Sequence, residues 1–403
     1  MYTKRNRGQK SVFRGRHGQR GSFRRPSRGR TMPTFNPSQF INTNPVDPVV
    51  ETFVPKHTFG DFSLDGRIVD TLKTIGLSSP SPIQDQIIPL ILAGKDVVGI
   101  AETGTGKTAA FLLPLIQKTL LDNNKQTLIL TPTRELAIQI EQELRKLSRG
   151  VRMYSTVCVG GANIRPQISG LRQKNHFIIG TPGRVIDLIS NKYLNTKNIT
   201  TVVLDEADRM LDMGFINPIR EILSTIRTDR EMLFFSATMD ARTEQLVGDF
   251  LRNPVVVSVK KKSVTNSIKQ DVVRFHHNDK FKVLTDLLSK SGFDRVIIFG
   301  SMKHSVERLA KDLTTAGVVA ESIHGNKNHT QRQRALSNFK QGVARVLVAT
   351  DVAARGIHVD NVSHVINYDL PNTFEDYVHR IGRTGRGDKK GEALTFVPLP
   401  SHT

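Results

Sequence analysis

The chain has 403 residues, 38% of them hydrophobic and 24% charged, and a formal net charge of +21. That length exceeds one ordinary core and suits two domains. No apolar run approaches the roughly 18 to 20 residues that cross a bilayer as a helix. A single cysteine, Cys158, rules out an intrachain disulfide, argues against a cysteine zinc site and fits a reducing compartment.

The charge is uneven. Residues 1–30 hold eleven Lys and Arg and no Asp or Glu, so they supply +11 and the other 373 residues +10. Such a run favours a polyanion partner through counterion release; solubility is the plainer reading. Rich in Arg, Gly, Ser and Gln with Phe13 and Phe23 interspersed, it cannot bury enough apolar surface to offset its ordering entropy. A disordered basic tail is expected, with no apolar secretory leader. Residues 31–56 carry Pro33, Pro37, Pro45, Pro48 and Pro55 and read as a linker.

From Phe59 the texture changes. Asp96–Ile100, Thr127–Leu130 and Thr201–Leu204 read as buried strands. Arg134–Arg149 reads as a helix with Leu136, Ile140, Leu144 and Leu147 on one face. After Lys260-Lys261-Lys262 a second series begins, with strands at Val296–Phe299, Arg345–Val348 and His364–Ile366. A helix there carries Val306, Leu309 and Leu313, and Gly317 ends it. Alternating strands and helices imply an α/β fold, its parallel sheets covered by helices on both faces. The expected organisation is a tail and linker over 1–56, a first domain over 57–258, a linker over 259–268 and a second domain over 269–403.

Ala101-Glu102-Thr103-Gly104-Thr105-Gly106-Lys107-Thr108 joins a strand to a helix. Gly104 and Gly106 let backbone amides turn toward phosphate oxygens. Lys107 brings a charge to the β- and γ-phosphates, the Thr108 hydroxyl suits Mg2+, and the helix N-terminus adds positive potential. The general motif opens with Gly, where this chain has Ala101. Asp205-Glu206-Ala207-Asp208 follows the strand Thr201–Leu204, at the end where open α/β sheets bind ligands. Asp205 suits Mg2+ through water, and Glu206 suits orienting and deprotonating an attacking water. A solvated acidic turn is the plain alternative; the pairing with Lys107 and Thr108 favours a nucleoside triphosphate site.

From Phe59 to Val397 the chain resembles the DEAD-box family of ATP-dependent RNA helicases, most closely its compact bacterial subgroup tied to ribosome assembly and RNA turnover. The resemblance implies two tandem RecA-like domains and the cofactors ATP and Mg2+. Phe59 and Gly76–Gln84 resemble the motif that reads adenine, with Phe59 and Gln84 the contacts, and Ala101–Thr108, Thr103 and Thr105 included, the phosphate loop. Pro132-Thr133-Arg134, Gly160-Gly161 and Thr181-Pro182-Gly183-Arg184 resemble the family's RNA-backbone contacts. Ser236-Ala237-Thr238 resembles the motif coupling hydrolysis to duplex opening, and the resemblance gives Asp208 and His379, from other motifs, a part in the same coupling. In the second domain Ile298-Phe299, His324-Gly325, Ala349–Gly356 and His379–Arg386 match in turn. By that match Thr350 and Arg332 meet RNA, and Arg383 and Arg386 are arginine fingers on the γ-phosphate; a surface basic patch is the bland reading.

Two positions depart from the family. His358 stands where the family usually has Asp near the nucleotide ribose, which implies weaker or pH-sensitive coupling to ATP. His329 stands where the family often has Gln. The resemblance implies RNA-stimulated ATP hydrolysis that opens short duplexes or remodels RNA–protein complexes. An ATP-gated RNA clamp or chaperone with weak hydrolysis, and a DNA-translocating helicase, are the competing classes. The expected partner is RNA, single-stranded or in short duplexes, held by its backbone with little sequence preference and also contacted by the basic tail. A cytoplasmic monomer is expected, with a nucleus or nucleolus as the other location.

Overall fold

The structure, a computed structural model, describes residues 40–42, 53–102, 104–259, 268–276, 278–354, 359, 361–385 and 391–399. The expected disordered tail, residues 260–267 of the expected linker, and the candidates Thr103, His358 and Arg386 lie outside those residues.

Two parallel sheets form the frame. The first holds seven strands: β1 (Val97–Ala101), β2 (Gln126–Leu130), β3 (Ser155–Cys158), β4 (Phe177–Gly180), β5 (Ile199–Leu204), β6 (Glu231–Ser236) and β7 (Val255–Val259). Their order across the sheet is β3-β4-β2-β5-β6-β1-β7. The second holds six: β8 (Lys269–Phe275), β9 (Val296–Phe299), β10 (Ala320–Ile323), β11 (Val346–Ala349), β12 (His364–Asn367) and β13 (Glu392–Pro398), ordered β10-β11-β9-β12-β13-β8.

Successive strand residues enter opposite layers. Ile129, Ile179, Val203 and Leu233 pack into one apolar cluster, while their neighbours Leu128, Ile178, Val202 and Phe234 pack into another. The second sheet repeats this, with Val296, Ile298 and Val348 on one side and Ile297, Phe299 and Leu347 on the other. Strands buried on both faces read as continuous apolar runs, and each fully buried Ile, Leu or Phe contributes about 1.5 to 3 kcal/mol. The expected helix over Arg134–Arg149 runs Arg134–Leu147 and buries Leu136, Ile140, Leu144 and Leu147. The helix Lys303–Thr315 buries Val306, Leu309 and Leu313, and Gly317 follows its end at φ +87°.

One stretch of the expected linker is packed instead. Phe40 is 1% exposed, its ring centroid 4.8 Å from that of Tyr377. Asn42 pairs antiparallel with Gln270: Asn42 N donates to Gln270 O at 2.8 Å, and Gln270 N donates to Asn42 O at 3.0 Å. An aromatic ring that buries, beside the open edge of β8, outweighs the linker-like composition around it.

Candidate functional site

In a parallel sheet every strand presents its C-terminal end to one edge. The neighbours β5, β6 and β1 carry Asp205–Asp208, Ser236–Thr238 and Gly104–Thr108 at that edge. The neighbours β3, β4 and β2 carry Gly160-Gly161, Thr181–Arg184 and Pro132–Arg134. Strand order therefore separates the nucleotide candidates from the RNA candidates along one rim.

The phosphate loop is held from beneath. Ser81 Oγ donates to Thr105 O at 2.8 Å, and Gln84 Nε2 donates to Gly106 O at 3.1 Å. Gln84 Oε1 accepts from Ser81 N at 2.9 Å, closing a capping box on the helix Pro82–Leu92. Gly106 sits at φ +93° just before the helix Lys107–Leu121, and a Cβ there would overlap the Gln84 amide. Gly104 lies exposed at the loop tip, and the half-buried Thr105 donates its hydroxyl to Glu102 O at 2.9 Å. Lys107 is buried, and its ammonium donates to the carbonyl of the equally buried Ala101 at 2.6 Å.

Lys107, Thr108, Asp205 and Glu206 line one cavity of about 450 Å³, bounded elsewhere by Leu77 and Gln84. Burial pushes the Asp205 carboxyl up to about 7, against the pull of the Lys107 charge. A carboxylate in so dry a place is favoured by a cation. The Thr108 hydroxyl and the Asp205 carboxylate are hard oxygen donors on the same cavity, a set that fits Mg2+. Phe59 does not line this cavity: it is buried in the first core, its centroid 6.2 Å from that of Phe62.

Glu206 stands at φ +53° ahead of the helix Ala207–Asp212. Its Oε2 accepts from Arg209 Nη1 at 2.7 Å, with both side chains buried. Sequence reasoning missed Arg209; the i, i+3 spacing from Glu206 was the available signal. Asp208 Oδ2 accepts from Ala237 N at 3.1 Å, and from Thr238 N and Thr238 Oγ1 at 3.3 Å each. Ser236 Oγ donates to Thr238 O at 2.7 Å. These bonds join the rims of β5 and β6.

On the other half of the rim, Thr133 and Thr181 are the N-cap residues of the helices Arg134–Leu147 and Pro182–Ser190. Pro132 and Pro182 are buried and Gly183 is exposed. Helix N-termini of this kind present amides to phosphate. The half-buried Arg134 lays its guanidinium against Gly161, which sits at φ +69°, and a Cβ on Gly161 would overlap it. Arg184 Nη1 donates to Ala162 O at 3.4 Å. From the second sheet, Arg332 on the helix His329–Lys340 brings Nη2 to 3.1 Å from the buried Glu135 Oε2. Burial, then the charges of Arg332 and Arg184, lower the proton affinity of Arg134. The guanidinium groups of Arg134, Arg184 and Arg332 feel one another's charge beside the Glu135 carboxylate and are the candidate phosphate contacts. Gly161→Ala is expected to weaken RNA binding roughly tenfold and lower its salt slope by about one counterion. A salt titration of RNA affinity checks this, and a variant that binds like the parent rules out the contact between Gly161 and Arg134 as its basis.

In the second sheet, Thr350 is buried at the end of β11, and Asp351 opens the next short helix. Arg380, on the helix Phe374–Ile381, is 2% exposed and clamps Asp351 with bonds of 2.6 and 2.8 Å. It also donates to Asn367 Oδ1 at 3.3 Å and Asp369 O at 2.6 Å. This anchoring role was not assigned from sequence. Arg383 is 5% exposed and lines a small cleft with Asp351 and His379. It does not line the Lys107 cavity. The side chain of His329 lies outside the described residues.

The family model described as DEAD/DEAH box helicase matches residues 81–247, and that of the helicase conserved C-terminal domain matches residues 279–388. The chain is 46% identical over 342 residues to the DEAD-box ATP-dependent RNA helicase CshA of Bacillus licheniformis, covering 84% of this chain and 70% of that protein. Its fold is similar to that of S. cerevisiae Dbp5 bound to RNA and ADP BeF3, with a TM-score of 0.77, 30% identity and coverage of 85% and 90% of the two chains. It is also similar to Mss116p bound to ssRNA and AMP-PNP, with a TM-score of 0.77, 28% identity and coverage of 86% and 77%.

Proposed function

The chain belongs to the DEAD-box family of ATP-dependent RNA helicases, and from that premise we propose that its two sheets are the halves of an RNA-stimulated ATPase that opens short duplexes or remodels RNA–protein complexes. The observation that carries this reading is the shared rim, with nucleotide candidates on β5, β6 and β1 and RNA candidates, Arg134 and Arg184 among them, on β3, β4 and β2.

The loop amides and Lys107 hold the β- and γ-phosphates of ATP, and the Gln84 side chain meets adenine. Glu206, freed from Arg209, orients a water and takes its proton as that water attacks the γ-phosphorus and ADP leaves. Bound through Thr108 and Asp205, Mg2+ supplies charge neutralisation to the phosphate oxygens. Arg383 and Arg386 approach from the second domain and stabilise the transferring phosphoryl group. Asp208 with Ser236 and Thr238, and His379 across from them, relay the state of the nucleotide to the RNA half. There Arg134, Arg184, Arg332, Thr133, Thr181 and Thr350 hold one strand by its phosphates, largely without reading bases. Contacts to 2′-hydroxyls favour RNA over DNA. The proposed domains are 57–258 and 269–403, with 259–268 as the linker between them.

The basic run 1–30 adds a loose second grip on RNA and raises its effective concentration. Deleting it is expected to lower RNA affinity at low salt and flatten the salt dependence, with saturated turnover unchanged. Equal low-salt affinity would make the run a solubility segment only. No helix among the described residues is long and apolar enough to cross a membrane. The proposed setting is the cytoplasm, with the chain acting as a monomer. Steady-state ATP hydrolysis with no nucleic acid, with single-stranded RNA and with single-stranded DNA tests the main reading. Stimulation by RNA alone supports it; equal stimulation by DNA overturns the RNA preference, and no turnover with ATP still bound favours a clamp.

A further inference from the structure

We propose that Phe40–Asn42 is an intramolecular anchor that pairs with the open edge of the second sheet at Gln270 and positions the arginine helix for ATP turnover. The positioning role rests on the ATPase reading above. The edge strand β8 pairs with β13 on one side. On its other side the backbone of Gln270 exchanges both hydrogen bonds with Asn42. The Gln270 side chain turns inward, where its Oε1 accepts from Tyr377 Oη at 2.8 Å and its Nε2 donates to Ile268 O at 3.2 Å. The Phe40 ring then covers Tyr377, which is 0% exposed, and Phe374 flanks Tyr377 at 5.7 Å.

Tyr377 lies one helical turn before Arg380, on the two-turn helix Phe374–Ile381 that leads into Arg383. Arg380 fixes that helix to Asp351, Asn367 and Asp369 at the rim. Phe40, Asn42 and Gln270 fix the neighbouring stretch of it to the edge strand. A helix this short has little rigidity of its own, so its placement depends on both attachments. Loss of the Phe40 ring leaves a void over Tyr377 and frees one attachment, and an error of about 1 Å in the placement of a catalytic group can cost a hundredfold in rate. Phe40 thus acts through Tyr377 as a positioning residue. Ile41, between the two anchoring residues, is 45% exposed and serves as the internal control.

The test uses the full chain and its Phe40→Ala, Phe40→Leu and Ile41→Ala variants. It measures RNA-stimulated ATP turnover, KM for ATP, RNA affinity and hydrogen exchange of the amides over 374–383. Phe40→Ala is expected to lower kcat about tenfold with KM and RNA affinity unchanged, and to speed exchange in that helix. Phe40→Leu, which still fills the socket, restores most of the turnover, and Ile41→Ala matches the parent. A Phe40→Ala kcat within about twofold of the parent with unchanged exchange overturns the anchor. Joint loss of ATP and RNA binding that Phe40→Leu leaves unrepaired also overturns it, because that outcome reports general unfolding. If the parent chain itself shows no RNA-stimulated turnover, the ATPase reading fails and the positioning role falls with it. Parent turnover that Phe40→Ala matches removes the anchor alone.

Discussion

Glu206→Gln is expected to lower RNA-stimulated ATP turnover at least about a hundredfold while ATP still binds, because a positioned general base contributes roughly 10² to 10⁴ in rate. Glu206 is 6% exposed and lines the cavity that holds Lys107 and Asp205. The amide keeps the size of the side chain and its place at the head of the helix Ala207–Asp212, but it cannot take a proton from water. It also weakens the grip of Arg209, which meets the carboxylate at 2.7 Å. On the proposed reading nucleotide affinity rests chiefly on Lys107 and the loop amides, so a fluorescent ATP analogue should bind with near-parent affinity. Turnover within about tenfold of the parent would move the base elsewhere, and the neighbouring Asp205 would be the first alternative.

The second large effect is expected at Arg383. Arg383→Ala should lower turnover by about 10³, in the range of an arginine finger supplied to a phosphoryl transfer. ATP binding should persist, because the phosphate loop belongs to the other sheet. The geometry makes this result decisive. Arg383 rests in a cleft with Asp351 and His379 and does not line the Lys107 cavity. A finger must therefore leave that cleft for the phosphate, whereas a structural partner of Asp351 stays. Turnover measured beside thermal unfolding separates the two. A large fall in rate with little change in stability identifies the finger; a loss of stability with less than about a tenfold fall in rate leaves that work to Arg386.

Local pattern made much of this readable from the sequence. Apolar runs located β1, β2, β5, β9, β11 and β12 to within about two residues, because strands buried on both faces carry little else. The strand–loop–helix that carries the candidate phosphate loop was visible because Gly104, Gly106, Lys107 and Thr108 stand together in the chain. What escaped was set by distant partners. Arg380 draws its meaning from Asp351, Asn367 and Asp369, which the fold brings to it from β11 and β12. Gly161 is needed because the guanidinium of Arg134 crosses it, and nothing in the residues around Gly161 announces that. Phe40 sits in a proline-containing stretch with no strand or helix period, and its socket is built from Gln270 and Tyr377. Phe59, which the resemblance sets beside the adenine, is buried in the first core, a placement that the residues around it do not announce.

The seating of Phe40 on Tyr377 also has a consequence for synthesis. At roughly 5 to 20 residues per second, Phe40 leaves the ribosome on the order of tens of seconds before its socket exists. The first sheet must complete its core without that ring, and neither of its apolar clusters includes Phe40. Until Tyr377 emerges, the ring of Phe40 has no socket to enter. A product cut short before that helix would leave the Phe40 ring without its Tyr377 seat.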